Sequence, residues 1–365
     1  MGLFKKMNVF LSINDRSIRY LVCPAKQSKG TIDDGELFFD KVIMEDGRII
    51  NEAQLKSQVK MLVEQKNWKG AKLSFIVPDS FLTMRTEEIP NQLEKEEAKR
   101  YIRLQLEGSI RLPFKNPMID FEVLTRGEDT NEILLFAYPE ERLKPFYRLF
   151  ENASLNAEVA DVSFLSAYRT YQVNHQPNDN EHLLMIQWNK VDLVLTVFHK
   201  KIPKFTRHVH ASNPFQEWKL DSKEATLVSQ SSPEELEEVR DQTLITIERF
   251  MDFYQYSIMD GEAAVTNILL LGDHPDLAKL QLSLDERFDL SIEILTLPQD
   301  LPMGCGVLYG LSLKTESKPK KHVKLKKEQQ KEKKSDNKSK AYRTNEKNSM
   351  NDSNTTSELS VTNDE

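Results

Sequence analysis

The chain has 365 residues and a formal net charge of −7 at pH 7, and 39% of its residues are apolar and 29% charged. This composition is typical of a soluble protein with two or more domains or subdomains and argues against a membrane protein. No apolar run approaches the roughly 18 to 20 residues that cross a bilayer, and Asn14, Asp15 and Arg16 interrupt the stretch that a signal peptide would need. We therefore expect a cytoplasmic protein.

The N-terminal half alternates between the periodicity of strands and that of helices. Apolar residues at every second position predict strands, whereas apolar residues three and four positions apart predict helices. In chain order, the pattern predicts a strand, turn and strand over 8–22, a strand over 38–44, a helix over 52–65, a strand over 72–77, a helix over 94–107, a strand pair over 119–124 and 132–137, a helix over 140–152, a strand over 157–160 and a helix over 162–172.

The C-terminal half repeats this order of elements. Ser232 and Pro233, followed by two glutamates, are typical of a helix start, because Ser caps the first turn and acids favour it. The pattern predicts strands over 182–187, 191–198 and 204–209, a helix or helix pair from residue 233 towards 259, a strand over 267–271 and helices over 276–284 and 304–313. Two halves that each open with three strands predict a duplicated α/β architecture with a cleft between two lobes.

Charge separates the segment 314–365 from the rest of the chain. It holds 14 of the 50 Lys and Arg residues and 9 of the 57 Asp and Glu residues, and it has few large apolar residues. Such a segment cannot bury enough surface to offset its ordering entropy, so we predict a disordered tail, Lys-rich to Lys347 and rich in Ser, Thr and Asn after it. The tail allows weak attraction to anionic lipid, while the acidic remainder argues against a specific nucleic-acid partner.

Two features could carry metal or redox chemistry. Cys23 and Cys305 are too few for a disulfide framework or a cysteine zinc site, and we expect both to be buried apolar residues. His208 and His210 would share one face of a strand, as metal ligands can. No third ligand lies at a meaningful spacing, so we expect exposed strand histidines and predict no metal site.

Six phrases between about residues 8 and 313 have a characteristic order and spacing, although none is specific alone. They are Ser17-Ile18-Arg19, Leu112-Pro113-Phe114 with Asp120-Phe121-Glu122-Val123-Leu124, Ala160-Asp161-Val162, Phe205-Thr206-Arg207, Ile247-Glu248-Arg249-Phe250-Met251-Asp252-Phe253-Tyr254 and Gly310-Leu311-Ser312-Leu313. Together they resemble the actin-like PilM family of type IV pilus assembly proteins.

The resemblance implies an α/β actin-like (ribonuclease H-like) fold of two lobes with an FtsA-type inserted subdomain. The first lobe would span 1–181 with its inserted subdomain at about 82–155. The second would span 182–313 with a smaller insertion at about 213–262, followed by the tail 314–365.

The resemblance also implies the position of a nucleotide-binding cleft. At this cleft the sequence lacks residues that actin-like ATPases use. Actin-like ATPases hold ATP with two Asp-x-Gly loops and a Gly-Gly pair, in which carboxylates organise Mg²⁺ and glycines let backbone N–H groups approach phosphates. The corresponding positions here are Ser12-Ile13-Asn14, Gln187-Trp188-Asn189 and Gly272-Asp273. Both carboxylates are missing, and Trp188 would crowd a phosphate.

The departure predicts a degenerate nucleotide site without catalytic residues. Asn tolerates positive φ best after Gly, so the turns at Asn14 and Asn189 are expected to persist. Asp15 could replace a lost carboxylate if its loop shifted, although aspartates in turns more often cap them. The residues expected to contact any nucleotide are Asn14, Asp15, Ser17, Asn189, Gly272 and Asp273. ATP with Mg²⁺ stays open as a cofactor, and ATP hydrolysis is not expected.

The resemblance implies a scaffold that docks the N-terminal cytoplasmic segment of a PilN-like bitopic membrane protein. That segment would lie in a groove between the first lobe and its inserted subdomain, near 104–114 and the strands at Phe121 and Phe136. The protein would then be peripheral at the inner face of the membrane, where pilus motor or platform proteins are further candidate partners. The alternatives are an actin-like ATPase, an FtsA-like polymerising membrane adaptor, an adaptor recruited by its tail, and a secretion-system paralogue.

Overall fold

The computed structural model describes residues 7–24, 33–106, 108–210, 218–221, 223–298 and 301–314. The tail predicted for 314–365 lies outside the described residues except for Lys314, and so does part of the insertion predicted at 213–262. The lobe boundaries given above stay predictions.

The N-terminal half contains ten strands and four helices within the described residues. They are β1 (Met7–Asn14), β2 (Ser17–Pro24), β3 (Asp33–Phe38), β4 (Met44–Glu45), β5 (Arg48–Ile49), α1 (Glu52–Gln65), β6 (Lys72–Ile76), β7 (Thr83–Pro90), α2 (Lys95–Gln105), β8 (Pro117–Arg126), β9 (Thr130–Pro139), α3 (Glu140–Asn152), β10 (Asn156–Asp161) and α4 (Ser163–Asn174).

The C-terminal half contains seven strands and three helices within the same described part of the chain. They are β11 (His182–Trp188), β12 (Asp192–His199), β13 (Ile202–His210), β14 (Trp218–Asp221), β15 (Thr226–Ser229), α5 (Pro233–Phe253) with a π-helical turn (Tyr254–Ile258), β16 (Asn267–Leu271), α6 (Leu277–Arg287), β17 (Ser291–Ile294) and α7 (Gly306–Ser312). The predicted start of α5 is confirmed, because the Ser232 hydroxyl accepts from the Glu235 N–H at 3.2 Å. No helix in the described ranges is both long and apolar enough to cross a membrane.

Two five-stranded sheets share one topology. The first has the order β10-β6-β1-β2-β3 and the second the order β13-β12-β11-β16-β17. In each sheet the first three strands of that half are antiparallel neighbours, and two later strands run parallel to the first of them. The parallel strands are reached through helices, as crossover connections require. The sequence prediction of a duplicated α/β architecture is confirmed.

Helices cover both faces of each sheet. On the first sheet, α1 and α3 bury one face, where Phe75 lies 5.0 Å from Phe150 between ring centroids. α4 packs between the two sheets, with Tyr168 stacked on Phe198 at 3.9 Å. α7 returns to the first sheet, and α5 and α6 cover the second. We call the first sheet with α1, α3, α4 and α7 the first lobe, and the second sheet with α5 and α6 the second lobe.

A three-stranded sheet of order β7-β9-β8 is inserted between β6 and α3. α2 packs on one of its faces through Ala98 and Ile102, in a cluster separate from the core of the first lobe. The span expected for the inserted subdomain, about 82–155, also includes α3. The buried side chains of α3 belong to the core of the first lobe instead.

Four parts of the sheets differ from the sequence-based elements. The strand expected over 38–44 is wrong: β3 ends at Phe38, and Phe39 and Ile43 pack in the core of the first lobe, where their N–H groups donate to carbonyls of the turn between β1 and β2. β7 was missed because its polar residues obscure the alternation. The pair β14 and β15 and the strand β17 were missed because each has only four residues.

Candidate functional site

The candidate site is the cleft between the lobes, where the turn after β1 faces the turn after β11. Residues of both lobes line a cavity of about 120 Å³. That volume is below the roughly 300–1,000 Å³ of typical small-molecule pockets. All six residues expected from the sequence line it, namely Asn14, Asp15, Ser17, Asn189, Gly272 and Asp273. The duplicated topology brings them together, because equivalent turns lie at the same end of the two sheets.

Asn14 and Asn189 each close a hairpin through the side-chain amide. Asn14 Nδ2 donates to Ser17 Oγ at 3.2 Å, and Asn189 Nδ2 donates to Asp192 Oδ1 at 2.7 Å. Neither residue has a positive φ, so these turns do not depend on the tolerance of Asn for left-handed backbone. The two amides stabilise ordinary turns, and their donors are already used within the hairpins.

Gly272 follows β16 and packs against the backbone of β11. Its φ is +128°, and an added Cβ would lie 2.0 Å from the Trp188 carbonyl oxygen. Only glycine fits so close an approach between two chain segments. This packing explains why a glycine is needed at position 272 even if no ligand binds, because the neighbouring strand fills the space into which a Cβ would project.

Asp273 is held by two cations. Its Oδ2 accepts from Arg19 Nη2 at 2.7 Å and lies 3.2 Å from Lys190 Nζ, while its Oδ1 accepts from the Lys190 backbone N–H at 3.0 Å. Burial alone would raise the pKa of Asp273, but the charges of Arg19 and Lys190 hold it well below its usual range. This carboxylate is ionised and fully occupied by groups of the chain itself.

Arg19 projects from β2 into the cleft and joins both lobes. Its Nε and Nη2 donate to the Glu36 carboxylate at 2.9–3.1 Å, and its Nη1 donates to the Gly304 carbonyl at 2.9 Å. Burial opposes the charge, but Asp273 and Glu36 raise the pKa of Arg19 above its usual value. Sequence reasoning missed this role, although an arginine inside the otherwise apolar strand β2 was a signal.

Aromatic rings of the second half pack on one another beside Asp273 and Lys190. The His274 ring stacks on Trp188 with centroids 3.6 Å apart, and Trp218 contacts His274 edge-on at 6.0 Å. The Trp218 indole N–H donates to the Lys190 carbonyl at 3.1 Å. Burial lowers the pKa of His274 to about 4, so the ring is neutral at pH 7.

Acids and histidines also line the cleft. Burial raises the pKa of Asp15 and of Asp79 to about 6. His208 Nε2 lies 3.1 Å from Asp192 Oδ2, and His210 Nδ1 lies 4.0 Å from Asp15 Oδ2. The expectation of exposed histidines is wrong, since both line the cleft and are partly buried. Among the described residues, no group of three or more His, Cys, Asp or Glu is arranged to hold a metal ion.

A second candidate region is the face of the three-stranded sheet opposite α2, which we call the open face. Because alternate residues of a strand share a face, Phe121 and Phe136 lie on opposite faces, and only Phe136 belongs to the open face. Phe121 is buried under α2, whereas Phe136 packs beside the core of the first lobe. The expected groove residues are therefore divided between two faces.

The open face combines apolar and acidic residues. By strand register it includes Met84, Thr86, Glu88, Met118, Asp120, Glu122, Glu132, Leu134, Phe136 and Tyr138, and Asp120 is paired with Lys95 and Lys99 of α2. Met118 is 46% exposed, and the three glutamates are exposed. Leu104 is 71% exposed, but it lies on α2 and so outside the open face. The residues 112 and 114 pack in the cluster under α2.

Comparisons with known proteins agree with this fold. The family model described as type IV pilus assembly protein PilM matches residues 35–311. The chain is similar to the solved PilM-PilN type IV pilus biogenesis complex, with a TM-score of 0.65 and 13% identity over 86% of this chain and 98% of that one. The actin-like fold implied by the sequence resemblance is confirmed.

Weaker likenesses connect the chain to two further solved structures. Ethanolamine utilization protein EutJ from Carboxydothermus hydrogenoformans has a TM-score of 0.48 and 10% identity, over 85% of this chain and 90% of that chain. The cytoplasmic domain of EpsL, an inner membrane component of the type II secretion system of Vibrio cholerae, has a TM-score of 0.46 and 11% identity, over 85% and 96%. Comparison with curated protein sequences gives no match.

Proposed function

The chain belongs to the PilM family of type IV pilus assembly proteins, and we propose that it is a non-enzymatic scaffold for a PilN-like membrane protein. The N-terminal cytoplasmic segment of that partner docks in a groove between the first lobe and the inserted three-stranded sheet, and this contact holds the chain at the inner face of the membrane. The observation that carries the proposal is the likeness to a solved complex of PilM with PilN, which extends over nearly all of that chain.

The chemistry of the open face supports docking of an extended segment. β7 and β8 are the edge strands of the three-stranded sheet, and an extended peptide can add its backbone hydrogen bonds to such an edge. Met118, which is 46% exposed, supplies apolar contact, and the exposed Glu88, Glu122 and Glu132 supply negative charge. Cytoplasmic segments beside a membrane span are enriched in Lys and Arg, so this charge complements the proposed partner.

Calorimetric titration of the full chain with the cytoplasmic segment of a PilN-like neighbour tests this function. Met118→Glu places a charge on the apolar part of the open face, and we expect binding to weaken by about tenfold or more. Leu282→Glu is the matched control, because Leu282 is 63% exposed on α6 of the second lobe. Absence of binding to the unmodified chain, or equal affinity of both variants, contradicts the proposal.

We propose further that the cleft is a degenerate nucleotide site. Two observations support this proposal. Asn14 and Asn189 occupy the positions where phosphate-binding loops need glycine, and their side-chain amides are hydrogen-bonded within their own hairpins. The Asp273 carboxylate is already bound by Arg19 and Lys190. Titration of Mg-ATP into the full chain is expected to give no binding. Micromolar binding would instead favour the nucleotide-binding ATPase or the polymerising adaptor.

A further inference from the structure

The contacts of Arg19 connect three parts of the chain that are distant in sequence. Its guanidinium donates to Glu36 on β3 of the first lobe, to Asp273 after β16 of the second lobe, and to the Gly304 carbonyl in the turn before α7. The side chain of Arg19 is only 9% exposed. A buried planar group with fixed donors suits such a bridge better than a flexible ammonium does.

We propose that the positively charged side chain of Arg19 bridges the two lobes and fixes the angle between them. It lies in the cleft, where a bound ligand would otherwise have to hold the lobes together. The scaffold consequently keeps one closed arrangement without any ligand in the cleft. This inference goes beyond the docking function and does not depend on the identity of the docked partner.

Charge balance explains why the bridge needs Arg19. Glu36 and Asp273 carry two negative charges, and Arg19 and Lys190 carry two positive ones. Among the described residues, Arg19 donates the hydrogen bonds that the Glu36 carboxylate accepts. Without the guanidinium, Glu36 loses these partners and Asp273 keeps only Lys190, so like charges from two lobes face each other in a partly buried cleft.

A second arginine on the same hairpin supports the bridge. Arg16, in the turn after β1, donates to the Trp218 carbonyl of the second lobe and to the Phe39 and Asp40 carbonyls of the first lobe at 3.1 and 2.7 Å. Both arginines of the β1–β2 hairpin, Arg16 and Arg19, thus donate hydrogen bonds to residues of the C-terminal half. The Gln187 amide adds a bond to Ser163 Oγ at 2.9 Å.

Gly304 provides an independent way to disturb the bridge without removing a charge. An added Cβ at this position would lie 2.6 Å from Arg19 Cζ. Its φ lies outside the left-handed region, so alanine fits the backbone there. Gly304→Ala therefore displaces the guanidinium while leaving Arg19, Glu36 and Asp273 chemically intact.

Hydrogen exchange of the full-length variants tests the bridge. We expect Arg19→Ala and Gly304→Ala to speed amide exchange about tenfold or more in the cleft, at residues 14–19, 189–192 and 302–308, with little change in the core of the three-stranded sheet. Arg287→Ala is the matched control, since Arg287 pairs with Glu248 on the surface of the second lobe. Small-angle scattering should show a larger radius of gyration for the two bridge variants than for this control.

Chemical rescue separates a bridging role from a general loss of stability. We expect about 10 mM ethylguanidinium to restore most of the protection in Arg19→Ala by binding the vacated position, and the same concentration of ethylammonium to restore none. Gly304→Ala keeps its own guanidinium, so ethylguanidinium should leave it unchanged. If Arg19→Ala does not fold, Gly304→Ala and Arg19→Lys are measured instead. Exchange in these variants that matches the unmodified chain, or that rises equally in all elements, overturns the proposal.

Discussion

The buried ring of His274 predicts that acid destabilises the protein through one identifiable group. The ring stacks on Trp188, its Nδ1 accepts the Asp276 N–H at 3.2 Å, and burial lowers its pKa to about 4. The folded state therefore favours the neutral ring, whereas the unfolded chain protonates near pH 6.5. The contribution of the neutral His274 ring to the free energy of unfolding is therefore fully present above pH 6.5 and is lost as the pH falls towards 4.

The size of the effect follows from the difference between the two pKa values. A shift from 6.5 to about 4 corresponds to about 3.4 kcal/mol in total, at about 1.36 kcal/mol for each pH unit. Between pH 7 and pH 5, the same two values give a loss of about 1.8 kcal/mol in the free energy of unfolding. His274 is only 3% exposed, so solvent screens this term little.

Urea denaturation at a series of pH values measures this loss. Two variants remove the titration in different ways: His274→Asn keeps an acceptor for the Asp276 N–H, and His274→Phe keeps a ring on Trp188. Each is expected to be less stable at pH 7, and its stability should fall by about 1.8 kcal/mol less than that of the unmodified chain between pH 7 and 5. Parallel stability curves for the unmodified chain and both variants would refute the reasoning.

Three further predictions concern single residues and are checked by denaturant unfolding. Gly272→Ala should lower the free energy of unfolding by about 3 kcal/mol or more, because the φ of Gly272 is +128° and the new Cβ would overlap the Trp188 carbonyl. A loss below about 1 kcal/mol would contradict this close approach of the two backbones. Asp79→Asn should raise the free energy of unfolding by about 1–2 kcal/mol at pH 7.5. Because burial raises the pKa of Asp79 to about 6, ionisation of this carboxyl disfavours the folded state as the pH rises through about 6. The gain should therefore nearly vanish by pH 4. A gain that does not depend on pH would show another cause. Phe150→Ala should cost about 3–5 kcal/mol in the core of the first lobe, against less than about 0.5 kcal/mol for Leu104→Ala on the surface; similar losses at both positions would contradict the burial.

The sequence predicted the architecture because its signals are local and repeated. Each half opens with three strands whose apolar alternation is visible without knowledge of the fold, and the start of α5 at Ser232 depends on neighbouring residues only. Short strands carry too few residues for a periodic signal, which is why β17 was missed. β3 was missed because strand pairing with β2 fixes it, while its own residues are mostly polar and partly exposed.

The cleft shows the limit of local reasoning. The six candidate residues could be located only through the resemblance to the family, whose phosphate loops have known places in the chain. Arg19 could not be assigned from its neighbours, since its partners lie 17, 254 and 285 positions away in the sequence. The histidines at 208 and 210 were misplaced for the same reason: strand alternation gives a shared face, but the packing of the lobes determines whether that face meets solvent.

The return of α7 to the first sheet has a consequence for synthesis on the ribosome. Phe10 and Leu21 of the first two strands are buried against Leu308 and Leu311, which are among the last described residues of the chain. The strands that emerge first must therefore wait for nearly three hundred further residues before that face of their sheet is covered. Until then, an apolar surface of the nascent chain stays accessible, so during translation the first lobe depends on chaperones or on transient burial of this surface.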